Sequence, residues 1–166
     1  MVEEGRNGIG AGNPYYNPLA QAGEEVSSTG EGRHILIAES VLIHPVHDFV
    51  LDLVQKGDPV AFWDGVGVSL GTAKAGSEAI PIDTEGVWRL SVTNTGATNW
   101  GSIVVGQTLF ITGLGIITDD WNTAYAIFGY ALEPIAAPAN GSRTAIIAVK
   151  VHWMYPYWYY DTGAPI

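Results

Sequence analysis

Apolar positions along this chain fall into short runs and two-residue alternations broken by Gly, Pro and Asp, and they predict strands rather than helices. Residues 35–43 form a nearly continuous apolar run, closed by His44-Pro45, because the residue before a proline is pushed towards extended backbone. Phe49, Leu51 and Leu53 alternate with Val50, Asp52 and Val54. Gly57-Asp58-Pro59 marks a turn, residues 60–63 resume a strand, and Asp64-Gly65 reads as a hairpin turn into residues 66–70. Trp88, Leu90 and Val92 alternate with Arg89, Ser91 and Thr93, the pattern of a half-buried strand with its aromatic face inward. Further strands are predicted over Thr108–Thr112 and over residues 116–118, 126–132 and 144–151. The one short helical candidate is Asp120-Trp121-Asn122-Thr123-Ala124. About eight short strands at this spacing imply an all-β fold, a small β-barrel-like or β-sandwich-like domain over residues 34–151.

Both ends differ from that body. Residues 1–33 are Gly-rich and polar, with Asn13-Pro14-Tyr15-Tyr16-Asn17-Pro18 in the middle and no strand or helix period. Ordering such a segment costs about 1–2 kcal/mol per residue in backbone entropy, and it holds too little apolar surface to offset that alone. It reads as a flexible N-terminal arm, either a disordered leader or a segment that orders on a neighbour. Fully extended it reaches on the order of 100 Å. Residues 152–166 form an aromatic C-terminal tail, in which Trp153-Met154-Tyr155-Pro156-Tyr157-Trp158-Tyr159-Tyr160 is mostly aromatic. Side chains of this size are each worth roughly 1.5–3 kcal/mol when buried, so the tail is expected to cover its own barrel, a sister subunit or a foreign surface.

Composition narrows the function. Hydrophobic residues make up 47 % and charged residues 14 %, as in a packed domain. Cysteine is absent, which excludes disulfides, thiolate metal sites and a cysteine nucleophile. The formal net charge is -10, and the seven cations, Arg6, Arg33, Lys56, Lys74, Arg89, Arg143 and Lys150, are scattered. Nucleic-acid binding needs several clustered Lys or Arg contacts to phosphate, so no nucleic-acid partner is expected. The acidic start Met1-Val2-Glu3-Glu4 is unlike a signal peptide, and no apolar run approaches a membrane span. The expectation is a soluble chain made in a cytoplasm, with no membrane partner.

Each motif that suggests chemistry has a plainer structural reading. Gly67-Val68-Ser69-Leu70-Gly71 matches the serine-hydrolase elbow, but that motif needs a helix after the turn, and Thr72-Ala73-Lys74-Ala75-Gly76 is too short and too soon broken. His44 and His47, with Asp48 and Asp52 nearby, have donor types suited to Zn²⁺, but Pro45 breaks the spacing. No metal and no cofactor is therefore expected. His34 and His152 are isolated. Asp119-Asp120, with Asp161 far off, reads as a loop rather than an acid/base pair. Gly8-Ile9-Gly10-Ala11-Gly12 lacks the strand and the Lys of a phosphate loop, and Asn140-Gly141-Ser142 reads as a hairpin turn. No catalytic residue is assigned and no enzyme is expected.

Five stretches carry a likeness to known proteins: Gly57-Asp58-Pro59-Val60 with Val66-Gly67-Val68 close behind, Gly86-Val87-Trp88, Gly106-Gln107-Thr108-Leu109-Phe110, Ile127-Phe128-Gly129-Tyr130-Ala131, and the apolar strand of residues 145–149. In their order and spacing, over roughly residues 47–151, the chain resembles the capsid-cement, or head-decoration, proteins of tailed phages. The resemblance implies a small β-barrel-like domain that sits as a homotrimer on the outer surface of the head, binds the major capsid protein and stabilises the shell in the virion. It also implies an arm that joins the neighbouring lattice. The residues expected to make capsid or subunit contacts are Tyr15, Tyr16 and Pro18 in the arm and Trp153, Tyr155, Tyr157 and Trp158 in the tail. Two alternatives remain open: a carbohydrate-binding, adhesin-like module that uses the tail aromatics for stacking, or another virion part such as a tail-tube or head-completion protein.

Overall fold

A computed structural model of the chain describes residue 19 and residues 21–27, 34–47, 51–96 and 101–152. Among these residues the fold is all-β, with ten strands, two single-turn 3₁₀ segments and no α-helix. The strands are β1 (Glu24–Ser27), β2 (His34–Ala38), β3 (Pro59–Phe62), β4 (Gly65–Ser69), β5 (Ala79–Asp83), β6 (Glu85–Asn94), β7 (Thr108–Thr112), β8 (Ile117–Thr118), β9 (Ala124–Ala131) and β10 (Arg143–His152).

The strands form two sheets. The larger runs β1-β6-β10-β9-β7-β8, and a parallel pairing of Val92-Thr93 with Ile117-Thr118 brings β8 back to β6. This closes the sheet on itself into a small, incomplete barrel. The smaller sheet runs β2-β5-β4-β3. It packs onto the barrel, because Ala61, Val66 and Val68 share one core with Trp88, Leu90, Leu109, Phe128 and Val149. A second core, built on Val54, Val60, Phe62, Ile80 and Ile82, lies under the segment that leads from β2 to β3.

Period-two patterning accounts for most of this. Trp88, Leu90 and Val92 are buried as expected, while Ser91 is exposed. Arg89 departs from the outward polar row and is 3 % exposed, because its guanidinium pairs with Glu133 in the loop after β9. Trp88 itself donates its indole N–H to the buried carboxylate of Asp83 at 3.0 Å, which satisfies both groups at the β5–β6 corner.

Besides β1 and β5, which the sequence pattern does not predict, four segments differ from the sequence expectation. The run over residues 35–43 ends as a strand at Ala38 and turns into a 3₁₀ segment, Glu39–Val41, in which Glu39 is buried beside His44. Residues 51–54 alternate in polarity but pair with no strand; Val54 is fully buried and its carbonyl accepts from Ala73 N–H. The hairpin turn lies at Trp63-Asp64, one residue earlier than expected, since Phe62 pairs with Gly65. Gly65 is needed for packing rather than for the turn: a Cβ there would lie 2.3 Å from the Phe62 ring. The helical candidate at residues 120–124 is a single 3₁₀ turn, Trp121–Thr123, capped by the Asp120 side chain. No helix among the described residues is long and apolar enough to cross a membrane.

Candidate docking surface

Tyr15, Tyr16, Pro18, Trp153, Tyr155, Tyr157 and Trp158 all lie outside the described residues. Asp48 lies outside them as well. The structure instead fixes the points from which the two end segments depart. β1, inside the segment read as the arm, pairs antiparallel with β6: Glu24 lies opposite Arg89, and Gly23 N–H donates to Arg89 O at 2.6 Å. On the opposite edge of β6, β10 ends with His152 opposite Glu85. Arm and tail therefore root on the two edges of one strand, at positions about 13 Å apart along it. The root of the tail is further held by Tyr130, whose ring centroid is 6.3 Å from that of His152.

Where the arm meets the barrel, close backbone contacts shape a cleft. A Cβ on Gly23 would lie 2.9 Å from Gly57 Cα, and both glycines have positive φ. Neither position accepts a side chain. The adjoining cleft has a volume of about 360 Å³; Ala22, Pro45, His47, Asp58, Thr93 and Ile116 are among the residues that line it. Its rim is partly apolar, since Ile116 is exposed, as is Leu114 in the β7–β8 turn. That turn is locked onto the segment below it: Gly115 has φ 72°, and a Cβ there would meet the His44 carbonyl carbon at 2.2 Å.

The floor of the cleft is polar. His47 Nε2 lies 2.6 Å from Asp58 Oδ2, and Asp58 also accepts from Gln55 N–H at 2.7 Å. His44 Nε2 lies 3.4 Å from Glu39 Oε1. The carboxylates nearest the two histidines in sequence are Asp48 and Asp52; the one that meets His47 is Asp58, eleven residues on, in the turn that opens β3. Asp52 serves the backbone instead, accepting from His47 N–H at 3.0 Å.

A second exposed feature stands at the far end of β3. Trp63 is 67 % exposed with φ 47°, and its ring meets that of Phe62 edge-on at 6.4 Å. A bulky residue held in the left-handed region costs about 1–2 kcal/mol; here it takes the first central position of the two-residue β3–β4 hairpin turn, where a positive φ matches the twist of the strands.

The remaining motifs have structural uses. Ser69 is fully buried in β4, and its hydroxyl donates to Gly71 O at 2.7 Å. Asp119 is buried and accepts from Thr95 N–H and Oγ1–H at 2.8 and 2.9 Å. Asn140-Gly141-Ser142 forms the bend before β10, with Gly141 at φ 65°. His34 is exposed on β2.

A model of the phage cement protein family matches residues 46–151. The chain belongs to the phage cement protein family. Membership makes it a structural protein of the phage head, associated with the capsid in the virion. The match begins at the cleft and runs through β3–β10, so β1, β2, the arm and the whole tail fall outside it. No curated protein and no solved structure matches the chain.

Proposed function

We propose that this cement protein decorates the outer surface of a phage head as a homotrimer and stabilises the shell, gripping the major capsid protein and its sister subunits through its two ends. The observation that carries this reading is the rooting of both ends on β6: β1 is hydrogen-bonded to one edge of that strand and β10 to the other. Each end thus leaves a rigid barrel from a fixed point, which limits the volume it must search for a partner.

In this reading the chain divides into an arm (1–33), a barrel body (34–151) and a tail (152–166), with β1 as the arm's anchor on the body. Tyr15, Tyr16 and Pro18 dock the arm by strand addition or groove binding. Trp153, Tyr155, Tyr157 and Trp158 bury aromatic surface against a neighbour. The net charge of -10 suits an outer shell surface and would be unfavourable facing packaged DNA. Linking three copies raises the effective concentration of each remaining contact, so avidity exceeds a single contact by about 10²–10⁴.

The test is deletion of residues 1–18, which leaves β1 and its pairing with β6 intact. The truncated chain should keep its fold and the mass of three copies in solution, and lose affinity for heads about 100-fold or more in co-sedimentation. Undiminished head binding would remove the arm from the mechanism, and a single-copy mass for the full chain would remove the trimer.

A further inference from the structure

Where His47 and Asp58 line the cleft, the polar side chains around them have the form of a metal centre. His44, His47 and Asp58 each offer one ligand atom, and these atoms all lie within 4.8 Å of one another. They come from two segments, the stretch after Glu39–Val41 and the turn that opens β3, and the β7–β8 turn closes over the first at Gly115. His44, Glu39 and Asp58 are largely withdrawn from water, with side-chain exposures of 8 %, 7 % and 11 %, while His47 is the exposed member at 25 %.

The hydrogen bonds around it show which atoms face inward. His44 Nδ1 lies 2.9 Å from Pro45 O. A carbonyl oxygen only accepts, so Nδ1 carries a proton, and in the neutral ring Nε2 presents its lone pair. That nitrogen faces Glu39 Oε1 at 3.4 Å. Two acceptors so placed repel unless a cation serves both, either a second ring proton or a metal ion. The separation is also the edge of a tetrahedron whose metal–ligand bonds are about 2.1 Å. A backbone carbonyl on the far ring nitrogen is the usual support of a metal-binding histidine. His47 and Asp58 are held in place likewise, by Asp52 on His47 N–H and by Gln55 N–H on Asp58. Their 2.6 Å contact is a hydrogen bond. A metal replaces its proton and needs the two atoms to part by roughly 0.8 Å.

We infer that His44, His47 and Asp58, with Glu39 beside them, form a binding site for a Zn²⁺-class transition-metal ion that clamps the start of β3 to the segment after β2. Mixed imidazole and carboxylate donors favour Zn²⁺ and its neighbours over Mg²⁺ or Ca²⁺, which prefer more numerous oxygen ligands. The role is structural: the ion stiffens the floor of the cleft beside the arm's root.

The full chain, stripped with a chelator and dialysed, is titrated with Zn²⁺, Co²⁺ and Mg²⁺ separately. Zn²⁺ should bind one ion per chain and raise the melting temperature, Co²⁺ should give visible d–d absorption of a four-coordinate site, and Mg²⁺ should do neither. His47→Gln should weaken Zn²⁺ binding about 100-fold or more, while His34→Gln should leave it unchanged. Absence of stoichiometric Zn²⁺ binding to the wild-type chain overturns the inference without reference to any variant, as does full-strength binding by His47→Gln. Because the readout uses the isolated chain, it stands or falls independently of head binding.

Discussion

Replacing Glu133 with Gln isolates a strongly buried charge pair of the barrel. Arg89 in β6 and Glu133 in the loop after β9 pair through Nη1 and Oε2, with side chains 4 % and 8 % exposed. The same Oε2 accepts Ala148 N–H of β10 at 2.6 Å, so Glu133 ties together two adjacent strands. Glutamine keeps an acceptor for that N–H but removes the charge, stranding a guanidinium that cannot shed its proton. Breaking a buried pair from one side costs about 3–5 kcal/mol. Against the 5–15 kcal/mol of a typical domain this is a large fraction, and at roughly 2–4 °C per kcal/mol it lowers the melting temperature by about 6–20 °C. The assay is urea unfolding at fixed protein concentration: the midpoint should fall with the slope unchanged. Arg89→Met combined with Glu133→Gln removes both charges and keeps the acceptor, and should recover to within about 1 kcal/mol of wild type. A loss under about 1 kcal/mol for Glu133→Gln alone would refute the reasoning. If the double variant is as unstable as the single one, packing rather than charge holds the junction.

Trp63→Asn exchanges a strained indole for a residue that tolerates positive φ. Relief of about 1 kcal/mol of strain offsets the lost edge contact with Phe62, so the melting temperature should stay nearly constant while affinity for heads falls about tenfold or more. Unchanged co-sedimentation with heads would exclude Trp63 from the contact. Gly115→Ala places a Cβ 2.2 Å from the His44 carbonyl carbon at φ 72° and should cost more than about 2 kcal/mol in denaturant unfolding. Gly113→Ala, with no atom within 4 Å of the new Cβ, should cost less than about 1 kcal/mol. Equal losses at the two positions would show that the β7–β8 turn is not locked onto the segment beneath it.

What the sequence revealed and what it hid follow from how far each signal reaches along the chain. β4, β7, β9 and β10 are rich in apolar residues over short stretches, and β4 and β7 are closely flanked by Asp or Gly; such signals are local. β5 escaped because Pro81 stands within it, and proline normally argues against an interior strand. Here its carbonyl still accepts from Leu70 N–H, and the flanking Ile80 and Ile82 fill the second core. β1 escaped because a strand of four residues in a polar, Gly-rich stretch owes its order to the edge of β6 rather than to its own pattern. The hairpin turn slipped by one residue because Asp64-Gly65 satisfies the usual turn chemistry, while the real constraint on Gly65 is the ring of Phe62.

The polar groups of the candidate site were hidden for a stronger reason. Asp58 meets His47 across eleven residues, and Glu133 meets Arg89 across forty-four. Neither spacing belongs to any local period: the β6–β10–β9 sheet brings Arg89 to Glu133, and the turn before β3 brings Asp58 to His47. A buried charge must be satisfied or the fold pays for it, so each pair had to form once the surrounding apolar strands fixed its position. Chain order therefore tells which residue types are present at the cleft, and the tertiary fold tells which of them meet. The choice of Asp58 over Asp48 and Asp52 rests on the hairpin of β3 and β4: Asp58 N–H donates to Gln55 O, its carbonyl accepts from Ser69 N–H of β4, and its carboxylate is thereby turned toward His47 rather than to solvent. Lengthening the turn at residues 55–58 would thus uncouple His47 from its carboxylate while leaving every apolar strand of the barrel in register.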